Sequence, residues 1–467
     1  VSETTAQAPA TALAAPKDIS RKKIVSWAMW DWGTQPFNTV ITTFVFSVYI
    51  TGSAFGDTNA TSQALSLSTT LAGLFVALAA PVLGQTADRS GRTVTVLRSL
   101  TWTLALISAA LFFVRPEPAF LWLGLGLLAV GSVVSEIAGV NYNSLLDEVA
   151  GERNVGRVSG FGWGMGYLGG IVVLLVLYFL FIQPEVGLFG VTGADGMDIR
   201  VSMVVCGVWT LLFTIPTFLA LHDRPATTRR PIPGIDRWNT RQPAVIWRWL
   251  APVVASYAEL WNTVRRLWDV SRHTVFFLLA SALFRDGLAG VFAFGAVIAA
   301  GTFGFSSGEV VIFGAAANIV AGLSTIALGL LDDKLGPKRV IMISLIALVA
   351  SGIVIFAFHD GGATVFWVAG LIMCMFVGPA QSASRSFLAR LVPAGRTGEV
   401  FGLYATTGRV VSFLSPLLFG AAITVGAAVT GGQNTQYWGI LGIVLVLLAG
   451  LIVMIPVKEH TEHHAIS

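Results

Sequence analysis

Apolar residues in this chain come in long blocks separated by short polar breaks. Each block reaches about 20 residues, the length a helix rising 1.5 Å per residue needs to cross the hydrocarbon of a bilayer. The blocks fall at about 24–50, 63–84, 94–114, 119–145, 157–182 and 200–221, then at about 274–300, 307–330, 339–358, 363–388, 398–424 and 436–456. A polar section divides them six and six. The pattern predicts an all-α integral membrane protein of about twelve transmembrane helices. Its segments are a disordered lead over 1–23, a six-helix half over 24–221, a linker over 222–272, a second six-helix half over 273–456 and a tail over 457–467.

Composition strengthens this reading. Charged residues make up 12% of the chain and hydrophobic ones 55%, whereas a soluble domain carries about 25% charged residues. That leaves too little polar surface to coat a water-soluble particle of 467 residues. Cys206 and Cys374 lie inside apolar blocks and read as small buried hydrophobes. No His/Cys cluster, nucleophile elbow or phosphate-binding loop occurs, so no metal, cofactor, ATP hydrolysis or enzymatic chemistry is expected. The Ala-, Thr- and Pro-rich stretch over 1–20 lacks the layout of a secretory signal.

Basic residues set the orientation. With the N-terminus inside, 25 of the 29 Lys and Arg fall on cytoplasmic segments, against Arg115 and Arg200 outside and Arg285 and Arg409 within spans. Positive charge stays inside, so both termini are expected in the cytoplasm, in a bacterial inner (plasma) membrane. The linker interleaves Arg237, Arg241 and Arg248 with Trp238, Trp247 and Trp249. Its stretch 252–269 places Tyr257, Leu260, Trp261, Val264 and Trp268 on one helical face and Glu259, Asn262, Arg265, Arg266 and Asp269 on the other. Such a helix suits the headgroup layer of the bilayer rather than a nucleic acid.

One motif occurs twice. Gly84-Gln-Thr-Ala-Asp88-Arg89-Ser-Gly91-Arg92 follows the second block, and Gly329-Leu-Leu-Asp-Asp333-Lys334-Leu-Gly336-Pro-Lys338-Arg339 follows the eighth. Gly, Asp, the basic residue and the second Gly are each displaced by 245 residues. An isolated copy would read as a charged turn; two copies at matched positions point to duplicated halves that move about a central site. Each copy is expected in the loop between the second and third helix of its half. The pattern resembles the cytoplasmic loop motif of the major facilitator superfamily, which implies a gating role in stabilising the outward-facing state.

A narrower resemblance covers nearly the whole chain. Trp27-Ala-Met-Trp-Asp31-Trp32, Asn143-Ser-Leu-Leu, Val158-Ser-Gly-Phe-Gly-Trp-Gly-Met-Gly-Tyr-Leu-Gly-Gly170, Phe284-Arg285-Asp286-Gly287, Gln381-Ser-Ala-Ser-Arg385-Ser-Phe-Leu-Ala-Arg390-Leu-Val-Pro393 and Phe401-Gly-Leu-Tyr404 occur in order. Together they resemble the vacuole effluxer-like branch, the autophagy-related amino-acid effluxers. The resemblance implies a secondary transporter and, by analogy, an exporter of amino acids. Gly162, Gly166 and Gly170 line one face of the fifth helix without the prolines of a drug-antiporter motif, so helix packing is the stronger reading.

Ionisable groups within spans are costly and by default functional candidates. They are Asp31, Glu136, Arg285, Asp286 and Arg409, joined by the uncharged Asn38, Asn141, Asn143 and Gln381. The superfamily resemblance implies that helices one, four, seven and ten line the pore. A structural pairing of Asp31 with Arg285 or Arg409 is the competing reading. Asp286 reads as the counterpart of Asp31 in the second half, and Glu136 as a proton carrier.

The expectation is alternating access by a single chain, with protons driving export of amino acids or similar small polar metabolites. Export of lipids or amphipathic drugs is the alternative transport reading. A receptor or scaffold that keeps the fold without transport is the alternative of another class.

Overall fold

The computed structural model describes residues 20–56, 61, 64–65, 67–76, 78–79, 91–151, 154–223, 265, 268, 272–305, 307–391, 397–431 and 435–458. Ten helices within this range are long and apolar enough to span a bilayer. In chain order they are α3 (Thr93–Phe113), α4 (Pro118–Ala150), α5 (Val155–Ile182), α6 (Ala194–Ala220), α7 (Arg272–Gly301), α8 (Ser307–Leu335), α9 (Pro337–Ala357), α10 (Ala363–Leu391), α11 (from Thr397 to Thr430) and α12 (Gln436–Met454). Ahead of them lie α1, from Arg21 to Ile50, and the partly described α2 around Leu67–Val76. Leu67, Leu71, Leu74 and Leu78 of α2 form one exposed apolar stripe, as a lipid-facing helix requires.

The helix contacts repeat. In the first half α1 packs on α5 and α6, and α3 on α4 and α6; in the second half α7 packs on α11 and α12, and α9 on α10 and α12. The halves meet chiefly through α5 against α8 and α10, and through α4 against α11.

Two helices predicted as continuous are broken. α1 is α-helical over Arg21–Pro36, π-helical over Phe37–Phe44 and α-helical again over Phe46–Ile50. Pro36 brings no N–H to the helical ladder, and the hydroxyls of Thr42 and Thr43 both donate to the Asn38 carbonyl at 2.7 Å. α11 breaks between Thr397–Val411 and Leu414–Thr430. Pro416 follows the break and likewise supplies no donor to the turn before it.

The second motif copy departs from the expected loop. α8 continues through Leu335, so Gly329, Asp333 and Lys334 lie on its last turns. Gly336 alone makes the turn, at φ 85°, before Pro337 opens α9. Gly91 occupies the matched position ahead of α3 at φ 66°. A positive φ at both places explains why glycine recurs there. Gly84, Asp88 and Arg89 lie outside the described residues, as does the expected linker helix apart from Arg265 and Trp268.

Candidate transport site and gate

The end of the bundle that carries Arg21, Arg92 and Lys338 is called the basic end below. There the fifth helix meets the eighth without intervening side chains. A Cβ at Gly160 would stand 2.7 Å from the Thr325 carbonyl oxygen and 2.8 Å from the Gly329 Cα. Gly156 and Gly164 continue this stripe, against Asp332 and Ile326 respectively. The stripe read from sequence, Gly162, Gly166 and Gly170, faces α1 instead, against Asp31, Gln35 and Thr39. α5 therefore has two small-residue faces, one within its half and one across to the other.

Asp333 joins the halves. Its carboxylate accepts from the backbone N–H groups of Gly156 and Arg157, both at 2.9 Å, at the first turn of α5. These are orphan donors of a helix N-terminus, so an α8 side chain caps an α5 helix. Arg390 of α10 pairs with Asp333 at 2.9 Å and with Asp332 at 3.2 Å, and Ser386 donates to Asp332. Lys338 donates to the Ile455 and Val457 carbonyls beyond α12, whereas Lys334, Arg339 and Arg92 are exposed. Asp223, just beyond α6, repeats the capping chemistry on the first half, accepting from the Val94 and Thr95 N–H groups at 2.8 and 3.0 Å.

Deeper in, Arg385 of α10 enters the first half. Its Nε donates to Ser159 Oγ at 3.0 Å, one terminal nitrogen to the Ser159 carbonyl at 2.7 Å, and the other to Asn143 Oδ1 at 3.0 Å. Asp31 lies 3.6 Å from the guanidinium and accepts from the Tyr142 hydroxyl at 2.7 Å. Trp27 and Trp30 each stack on the Tyr142 ring, at centroid distances of 4.4 and 4.2 Å. Asp31 thus pairs with Arg385, and not with Arg285 or Arg409 as one reading of the sequence had it.

The candidates of the second half separate. The Asp286 carboxylate accepts from the Ser415 N–H at 2.6 Å, and its carbonyl accepts from the Ser415 hydroxyl at 2.9 Å. Asp286 so caps the second segment of α11 from α7, a different task from that of Asp31. Arg285 lies over the Tyr404 ring, 3.9 Å from its centroid, and donates to the Tyr404 carbonyl at 3.0 Å. Both stay within their own half.

Glu136 of α4 and Arg409 of α11 form a hydrogen-bonded ion pair between the halves. By helix rise Glu136 lies ~20 Å from the basic end of α4, close to the bilayer midplane. Both side chains remain more than one third exposed, at 38% and 36%, which makes this an accessible charged pair between the halves. Asn38 is exposed and bonds Gln35 at 3.3 Å; Gln381 is half-buried. Asn141 is buried, donating to the Ile137 carbonyl and leaving its Oδ1 without a partner.

The comparisons with known proteins agree with this architecture. The family described as Vacuole effluxer Atg22 like matches residues 147–465. The chain belongs to that family. Over 448 residues it is 25% identical to the MFS-type transporter YxiO of Bacillus subtilis (strain 168), covering 94% of this chain and 95% of that one. It is 26% identical to Autophagy-related protein 22 of Yarrowia lipolytica over 318 residues, 65% of this chain, but spans about half of that protein, 51%. Among solved structures, the proton:xylose symporter XylE has a TM-score of 0.64 at 14% identity, covering 94% of this chain and 95% of that one. A bacterial homologue of the iron transporter ferroportin, in its outward-facing state, has a TM-score of 0.63 at 15% identity, covering 93% and 98%. The chain is an integral membrane transporter with the major facilitator fold.

Among the residues that join these contacts, sequence reasoning did not name Arg385, Ser159, Asp332 or Arg390 as candidates. Arg385 had been counted among the positive-inside residues, although it falls within the apolar block 363–388 and so carried the signal of an intramembrane charge.

Proposed function

We propose that the protein is a secondary active transporter that exports amino acids or similar small polar metabolites by alternating access, driven by protons. The observation that carries this reading is the Glu136–Arg409 pair, whose members come from opposite halves and stay accessible. A zwitterion presents the complementary charges: its carboxylate replaces Glu136 at Arg409, and its ammonium replaces Arg409 at Glu136. The exchange keeps both protein charges paired, as a low-dielectric site demands. Glu136 is also the acid best situated to take a proton once substrate leaves, since Asp286 is occupied in capping α11.

The basic end is assigned to the cytoplasm by the positive-inside excess. The Asp333 cap and the Gly160–Gly329 crossing hold it closed, with Arg390 bracing Asp333 from within the same half, so the described state is closed toward the cytoplasm and opens by parting the cap and the crossing. The family's description as effluxers supports export. Thermal-shift binding tests the substrate class: stabilisation by amino acids that Arg409→Ala abolishes is expected. Stabilisation by lipids or amphiphiles alone would replace this reading with the amphiphile exporter.

A further inference from the structure

Arg385 is held in the way a bound ligand is held. It belongs to α10, yet the groups that engage its guanidinium all come from the first half: Ser159, Asn143 and Asp31 as acceptors, and the rings of Trp27, Tyr142 and Trp163 at 5.1, 5.8 and 5.6 Å from the guanidinium carbon. Only 4% of the side chain is exposed. Three rings within about 6 Å and a carboxylate at the edge make a box suited to an organic cation. Two of the rings also keep a buried indole N–H without an acceptor, Trp27 Nε1 and Trp163 Nε1. Neither arginine nor a guanidinium or ammonium ligand offers them an acceptor.

We infer that this first-half box is a binding site for a guanidinium or primary ammonium ligand, and that Arg385 fills it while the basic end is closed. The inference rests on the alternating-access reading in one respect, that parting of the halves vacates the site. Withdrawal of α10 leaves Asp31 with Tyr142 as its hydrogen-bond donor and no cation. An unpaired carboxylate inside an aromatic box is unfavourable, and a cationic solute from the basic side restores the balance. The rings select weakly hydrated organic cations over sodium. Because ligand and Arg385 compete for one site, binding also holds the gate open.

The test uses the purified full chain carrying Arg385→Ala, titrated with methylguanidinium against sodium at equal ionic strength. A saturable rise in melting temperature is expected, at concentrations roughly tenfold or more below any response of the unaltered protein, and it should vanish in Arg385→Ala/Asp31→Asn. No saturable rise, or an equal rise in the double variant, overturns the inference. Arg385→Gln carries the same titration if Arg385→Ala is not recovered folded. A second readout keeps Arg385 in place: modification of Ser382→Cys, at the interface beside Ser159, should speed up with methylguanidinium. If Ser382→Cys never reacts under any solute while Arg385→Ala still binds, alternating access fails and the site stands. If it reacts with amino acids while Arg385→Ala ignores methylguanidinium, the site fails and alternating access stands.

Discussion

Replacing Asp333 with Ala should open the basic end, and the structure gives the size of the effect. The substitution removes the acceptor for two first-turn N–H groups of α5 and one partner of Arg390. Loss of a helix cap costs about 1 kcal/mol, loss of a negative charge from the positive end of the helix about 0.5 kcal/mol, and loss of a part-exposed ion pair about 0.5 kcal/mol. The cap contacts cross between the halves, so their loss of about 1.5 kcal/mol falls on the closed state alone and shifts the equilibrium roughly tenfold, whereas the Arg390 pair lies within the second half and is common to both states. Ser382→Cys is the reporter, labelled from the basic side with an impermeant maleimide; Cys206 and Cys374 are buried and contribute little background. Asp223→Ala is the matched control. It deletes the same capping chemistry at α3, but the acceptor directly follows α6, so the contact stays on the first half and does not cross to the second. It should lower the melting temperature without raising the labelling rate. Equal labelling in the two variants, or none in Asp333→Ala, would refute the gating argument.

Gly160→Val should exclude the closed state, because its Cβ would press on the Thr325 carbonyl and the Gly329 backbone; Ser382→Cys in that background should label at its maximal rate with or without solute. Asp286→Ala should destabilise both states by about 1–3 kcal/mol, the cost of a buried donor left unsatisfied at Ser415. Its melting temperature should fall while labelling is unchanged, and Asp286→Asn, which keeps an acceptor oxygen, should recover part of the loss.

Much of this architecture is legible in the sequence because a bilayer leaves so few choices. Long apolar blocks must be helices, and a motif repeated 245 residues apart exposes the duplicated halves. The breaks in α1 and α11 were less visible, since their apolar character runs on through Pro36 and Pro416. The intramembrane charges were found by type, but their partners were not. Asp31 meets Arg385 through α10, 354 positions later, and Glu136 meets Arg409 at a separation of 273. Such pairings depend on how the halves dock, which no local pattern encodes. The glycines of α5 show the same limit. Gly162, Gly166 and Gly170 were read as a packing stripe, whereas the parallel stripe of Gly156, Gly160 and Gly164 acquires meaning only once α8 lies against it.

Glu136 is the residue at which proton and substrate are proposed to meet. The most direct measurement is flux of radiolabelled amino acids in proteoliposomes, with and without an imposed pH gradient, for the unaltered protein and Glu136→Gln. The gradient should drive accumulation by the unaltered protein. Glu136→Gln should still exchange labelled for unlabelled substrate, with no response to the gradient. Gradient-driven accumulation that persists in Glu136→Gln, or no amino-acid flux above that of empty liposomes, would contradict that proposal.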